Sequence, residues 1–313
     1  MPNDNEKIKQ LTDEKPIKLE QMQGWPAGHY KLSPAHVGAI QAAYFCQRPL
    51  LVRGGPGLGK SQLAQAIASL LGWGLITSVV HYNTSVDDLL YSIDHVKRLD
   101  EANSGDDKVK SIDKYLQPDK LWQAIAPSTL SEYDLEQPHN KSGSVLLIDE
   151  IDKAESSLPN ALLEVLANGA ISTPYLKEAI KADETHPCFV VITSNEERLL
   201  PQAFLRRCAV LDIQLPTDRE EATEWMLEIF KTHYPDEQTQ TELLTLATQV
   251  ADNVIDQRQR VEAQNNGDYK VGTSEFLDML KVLKAFDADE RSAKLALLGT
   301  HLMNKTQLRQ DDV

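Results

Sequence analysis

The chain has 313 residues, with 32 Lys and Arg against 47 Asp and Glu, giving a formal charge of -15. That length buries one large core or, on our reading, two unequal ones, and the acidic excess argues against a broad nucleic-acid surface, leaving room only for a local basic pore. The cysteines Cys46, Cys188 and Cys208 have no metal-ligand spacing, no apolar stretch has bilayer length, and the polar N-terminus lacks a signal segment; together these read as a soluble cytoplasmic protein whose cysteines are small core residues.

Residues 1 to 29 are polar and lack a sustained period, which predicts an N-terminal arm or a loose first helix. Ser33-Pro34 supplies a cap and a first-turn proline for a helix carrying Val37, Ile40 and Tyr44 on one face. Pro49 to Arg53 is a short apolar run with the length of a buried strand.

Directly after it, Gly54-Gly55-Pro56-Gly57-Leu58-Gly59-Lys60-Ser61 fits G-x-x-x-x-G-K-[ST] at every fixed position. The glycines allow backbone N–H groups to curl around a polyphosphate, Lys60 adds a compact charge for the β- and γ-phosphates, and the Ser61 hydroxyl suits Mg²⁺. Gln62 belongs to the same nucleotide-binding segment. Leu63, Ile67, Leu70 and Leu71 then mark one face of a helix closed by Gly72. Strand, loop and helix follow in the order that phosphate binding at a helix N-terminus requires.

Leu75 to Tyr82 reads as a second strand, and Thr84 to Leu90 as the start of another helix. The irregular stretch from 91 to 143 is long for a connection and predicts an insertion. Ser144 to Ile148 is a central parallel strand delivering two acids to the sheet's carboxyl edge. Asp149 is positioned to hold the Mg²⁺ shell, and Glu150 to orient and deprotonate water.

Leu158, Leu162, Val165 and Leu166 form a helix face ended by Gly169, and 170 to 187 suggests a hairpin. The strand Phe189 to Thr193 leads to Asn195, a candidate sensor that contacts both a γ-phosphate and the catalytic water. A short helix then closes on Arg206 and Arg207, either of which is a candidate for stabilising charge on a neighbouring subunit's γ-phosphate, with a surface salt bridge as the plainer role for Arg206. After the strand Ala209 to Leu215 only helical patterns remain, opening on a capping-box spacing at Thr217 and Glu220.

Taken together, these residues resemble the AAA+ ATPases, specifically the MoxR-type or dynein-related branch. Gly54 to Ser61 matches the Walker A motif, Leu146 to Glu150 the Walker B motif, Ser194-Asn195 the first sensor, and Leu200 to Arg207 the finger segment with Arg207 at the finger position. The resemblance implies an α/β P-loop NTPase: a three-layer sandwich with a parallel sheet over 30–216, then a smaller all-α lid over 217–313. Insertions near 84–130 and 170–187 would shape a working face. It further implies ATP and Mg²⁺ as cofactors, a ring of identical subunits, usually a hexamer, and a protein client, commonly one with a von Willebrand factor A domain. Gly272-Thr273-Ser274-Glu275 stands where the family places a second-sensor arginine, which leaves Lys270, Arg260 or no residue to contact phosphate from the lid. The alternative is a nucleotide-gated regulatory scaffold with negligible turnover. A DNA-remodelling motor fits the acidic charge poorly.

Overall fold

The computed structural model describes residues 2–22, 24–103, 111–235, 241–264 and 271–302. The chain begins with α1 (Pro2–Lys9), the antiparallel pair β1 (Ile17–Leu19) and β2 (Gly28–Tyr30), and α2 (Pro34–Phe45). Strand β3 (Leu50–Arg53), helix α3 (Lys60–Leu71) and strand β4 (Gly74–Val79) follow. Next come α4 (Val86–Leu90), β5 (Tyr91–Ile93), α5 (His95–Asn103), β6 (Leu116–Pro118) and α6 (Lys120–Ile125), with β5 and β6 paired antiparallel. Then β7 (Ser144–Asp149) and α7 (Ser157–Asn168) precede the antiparallel pair β8 (Ala170–Ile171) and β9 (Ile180–Lys181). Strand β10 (Cys188–Ser194), helix α8 (Gln202–Leu205) and strand β11 (Ala209–Asp212) lead into four helices. These are α9 (Arg219–His233), α10 (Thr241–Gln264), α11 (Thr273–Leu283) and α12 (Ala288–Leu302).

Five strands form one parallel sheet in the order β11-β3-β10-β7-β4. Because side chains alternate across a strand, each apolar run feeds two cores at once. Leu51, Leu146, Ile148, Val190 and Ile192 face a cluster with Trp122, Leu162 and Phe204. Their neighbours Leu50, Val52, Val145, Leu147 and Val191 face the opposite cluster, with Ile40, Leu63 and Ile67 from α2 and α3. The result is the three-layer P-loop sandwich, with an all-helical C-terminal portion. Its separate core holds Met226, Phe230, Val250, Val254, Phe276 and Leu280. Among the described residues no helix is long and apolar enough to cross a membrane.

Three details correct the sequence reading. Residues 1 to 29, expected as an arm or a loose first helix, do open on a helix, α1, but the stretch is packed rather than loose, with Ile8 and Leu19 0% and 1% exposed and filling the face of the sheet that α2 and α3 cover. Lys7 Nζ donates to the carbonyl of Leu71 at 2.8 Å, placing a cation at the C-terminal end of α3. Buried Gln65 donates to the carbonyls of Glu20 and Pro26 and ties the following strand pair to the same helix. No period marks this packing, because isolated residues rather than a periodic face carry the burial. Second, Asp218 rather than Thr217 caps α9, its side chain accepting from the Glu221 N–H at 3.0 Å. Third, Cys46 is exposed at the end of α2, whereas Cys208 is buried and Cys188 partly so; burial pushes both of those thiols up to about 12.

Ser33 caps α2 and is answered by His36, whose Nδ1 accepts from the Ser33 N–H at 3.2 Å. That bond requires an unprotonated Nδ1, and burial draws the His36 pKa down to about 4.

Replacing Ile8 with Ala is expected to cost about 2–4 kcal/mol in denaturant-measured stability, the range for a fully buried isoleucine. An unchanged midpoint would mean that α1 contributes nothing to the core. For His36, the unfolded ring takes up a proton near pH 6.5 while the folded ring stays neutral, so its contribution is complete above that pH and is lost as pH falls towards 4. Between pH 7 and 5 this one residue accounts for about 2 kcal/mol. His36→Gln, which keeps the capping acceptor but does not titrate, is expected to flatten the fall in melting temperature over that interval.

Candidate functional site

Strand β3 ends at Arg53, whose guanidinium makes a two-point ion pair with Asp212 of β11 at 2.7 and 2.9 Å. This pins two strand ends where the loop Gly54 to Gly59 departs. At Gly54 the turn passes so close to β11 that a Cβ would stand 2.1 Å from the carbonyl oxygen of Ile213. Gly59, with φ of 79°, is the N-terminal cap of α3 in the left-handed region, and a Cβ there would press on the Tyr30 ring at 3.3 Å. The cradle shape therefore depends on absent side chains.

Lys60 opens α3 and is 6% exposed. Its ammonium has three donors and uses all of them: to the carbonyls of Gly54 at 2.9 Å and Gly55 at 2.7 Å, and to Asn195 Oδ1 at 2.7 Å. Burial lowers its pKa, while Asp149, Asp152, Glu150 and Glu196 pull it back up. Ser61 Oγ donates to Asp149 Oδ1 at 2.8 Å, so a hydroxyl and a carboxylate lie side by side beneath the loop. Hard oxygen donors of this kind fit Mg²⁺.

Glu150 has one oxygen against Asn195 Nδ2 at 3.1 Å and the other against Lys153 Nζ at 2.6 Å. Glu150 and Glu196 both adopt the left-handed region, with φ of 61° and 62°. Such conformations cost about 1–2 kcal/mol in a residue with a Cβ, so the surroundings must hold them. For Glu150 the holder is Thr193, which accepts the Glu150 N–H at 3.0 Å and donates its own hydroxyl to Asp149.

Two cavities flank the loop. One of about 420 Å³ is lined by Gly57 to Gln62, Asp149, Glu150 and Asn195. The other, about 490 Å³, lies between the loop and the C-terminal helices and has Leu32, Trp225, Ile229 and Leu277 among its walls. Thr273 lines this second cavity, and its buried hydroxyl has no hydrogen-bond partner among the described residues, as expected of a wall that a polar ligand completes. A cleft walled by the loop, the acids and Asn195, sharing Gly57, Leu58, Gly59 and Ser274 with a largely apolar chamber, fits a nucleoside triphosphate. Gln62 borders both.

The structure thus brings Lys60, Ser61, Asp149, Glu150 and Asn195 into one connected cluster. It leaves Arg206 and Arg207 outside, both exposed on the turn after α8, with no hydrogen bond joining either guanidinium to the cluster. At the start of α11, Ser274 donates its N–H to the carbonyl of Gly57 at 3.2 Å. Arg260 is exposed and Lys270 lies outside the described residues. Among the described residues Arg258 is a cation that faces the loop from these helices: it donates to the carbonyl of Val271 at 3.1 Å, and its Nη2 would meet a Cβ on Gly55 at 4.0 Å. Sequence reasoning missed Arg258, Thr193, Lys153 and Asp152. Asp152 alone carried a signal, as a third acid two residues beyond Glu150.

The model of an AAA domain of the dynein-related subfamily matches residues 49–208. Midasin from Giardia intestinalis is 25% identical over 201 residues, 63% of this chain, which spans about 4% of that protein's length. Among solved structures, the RuvB Holliday junction branch migration motor of Thermotoga maritima is similar at 16% identity and a TM-score of 0.36, covering 79% of this chain and 67% of that one. A variant of the same motor gives 17% identity and a TM-score of 0.38, over 81% and 69%. With the match spanning the loop, both acids, Asn195 and the arginine turn, the chain belongs to the dynein-related subfamily of AAA domains.

Proposed function

We propose that this chain binds Mg²⁺–ATP between the phosphate loop and the acid pair and hydrolyses its β–γ phosphoanhydride, as a subunit of a MoxR-like ring that remodels or activates a protein client. One observation carries the reading: Asn195 touches both the buried Lys60 ammonium and the Glu150 carboxylate, so the group that would hold phosphate and the group that would prime water share one bridge.

The bound magnesium triphosphate supplies an electrophilic phosphorus and a cation that offsets charge on its oxygens. Gly54 to Gly59 present backbone N–H groups, Lys60 adds its ammonium, and Ser61 with Asp149 hold the metal. Glu150 accepts the proton of the attacking water while Asn195 keeps that water in line. The chamber beside Thr273 and Trp225 houses the nucleoside, with Arg258 over the loop. Arg207, with Arg206 beside it, reaches outward to a neighbour's nucleotide, which its exposure permits.

In this proposal residues 30–216 form the core, 217–313 the lid, and the segments near 84–130 and 170–187 the working face. A hexamer, a client with a von Willebrand factor A domain and a cytoplasmic setting complete it. The second reading, a nucleotide-gated scaffold, draws on the Lys153 ion pair that already occupies one oxygen of Glu150.

Glu150→Gln is expected to lower steady-state ATP hydrolysis about 100-fold or more, with ATP affinity held within a few-fold. Lys60→Ala is expected to weaken affinity itself; undiminished binding of a fluorescent ATP analogue would sink the assignment of the loop. If the wild-type chain shows no turnover in the first assay, the scaffold reading stands. Arg207→Ala is expected to reduce turnover by about 10³-fold, and wild-type specific activity to rise with protein concentration as rings assemble. Turnover that ignores both concentration and Arg207 would rule out a shared site.

A further inference from the structure

Asp152 is 2% exposed, on the short 3₁₀ turn Ile151–Lys153 that directly follows Glu150. A carboxylate so deeply buried requires either a cation or several N–H donors. Among the described residues it is in no salt bridge with a lysine or arginine; it is met by two backbone donors, the N–H of Asn195 at 3.2 Å on Oδ1 and the N–H of Glu197 at 2.9 Å on Oδ2. Those donors lie on either side of Glu196, the residue in the left-handed region. One carboxylate thus fastens both ends of this strained turn, within which the Ser194 hydroxyl accepts the Glu196 N–H at 3.0 Å.

The loop held in this way carries Asn195. That side chain aims one atom at Lys60 and the other at Glu150, and an amide oriented towards two partners is only as well placed as its backbone. Among the described residues Asp152 is hydrogen-bonded to neither Lys60 nor Glu150, and its charge acts on the lysine through space alone. We propose that Asp152 is a positioning residue: it couples the turn bearing Glu150 to the loop bearing Asn195, so that water-priming acid and bridging amide move as one unit. The catalytic part of this inference rests on the proposed ATP hydrolysis; the mechanical part does not.

The test uses the full chain with Asp152→Asn, which keeps shape but replaces one acceptor with a donor facing another donor. In nucleotide-free protein, amide hydrogen exchange at Asn195 and Glu197 is expected to speed up about 10-fold or more, with the amides of Val190 to Ile192 unaffected. In steady-state hydrolysis, kcat is expected to fall about 10-fold or more while KM stays within about 3-fold. In a double-mutant cycle, Asp152→Asn added to Asn195→Ala is expected to lower turnover by less than about 2-fold further, because the residue it positions is already gone. Unchanged exchange at the two amides, or full additivity in the cycle, overturns the proposal. A wild-type chain without turnover would remove the catalytic reading, yet leave the exchange result to decide the mechanical one. If Asp152→Asn does not fold, Asp152→Ser, which is smaller and still accepts one N–H, is read against the same outcomes.

Discussion

The ammonium of Lys60 is the constraint around which this structure is arranged. A buried cation is tolerated only with its protons fully placed, and here they go to two loop carbonyls and to the amide oxygen of Asn195. That geometry exists because β3 and β10 are neighbours and parallel, in a register that sets Arg53 beside Ser194, so that both loops leave the sheet at the same edge. Strand β7 lies next to β10 on the other side and delivers Asp149 and Glu150 to the same edge. The apolar sheet and the polar site are therefore two consequences of one strand order. Alternating residues that bury two cores leave only the strand ends free for chemistry.

Much of this was legible in the sequence. The phosphate loop, both acids, Asn195 and the switch to helices after Leu215 each rest on local signals: glycine spacing, apolar runs of strand length, and 3.6-residue periods. What escaped was non-local. Thr193 holds Glu150 through a cross-strand hydrogen bond, and Arg258 reaches the loop from the middle of a long helix; neither position differs in type from many solvent-facing ones. The first 22 residues were misread for a related reason. Ile8 and Leu11 make a single i,i+3 pair and Leu19 stands alone, in too polar a context to sustain a period, so only tertiary packing reveals them as core.

The C-terminal helices meet the site through backbone groups and small side chains, through the apolar walls Trp225, Ile229 and Leu277, and through Arg258. Ser274 donates to Gly57, Thr273 faces the chamber, and Lys31 pairs with Glu228 of α9, which Lys231 also contacts. Surface ion pairs of this kind contribute about 0–1 kcal/mol and weaken with salt. Beyond these polar contacts, Trp225 packs against both the core under the sheet and the core of the helices, so one aromatic side chain links the two across the chamber.

The unequal surroundings of the three cysteines have a practical consequence. Cys188 and Cys208 are kept as thiols by their apolar environments, whereas Cys46 lies open to solvent at the end of α2. A maleimide dye added to the native chain should accordingly mark a single position, near the edge of the sheet where β3 begins rather than the edge where the phosphate loop leaves it. The unaltered sequence thus provides its own attachment point for fluorescence measurements that ask whether copies of the chain associate.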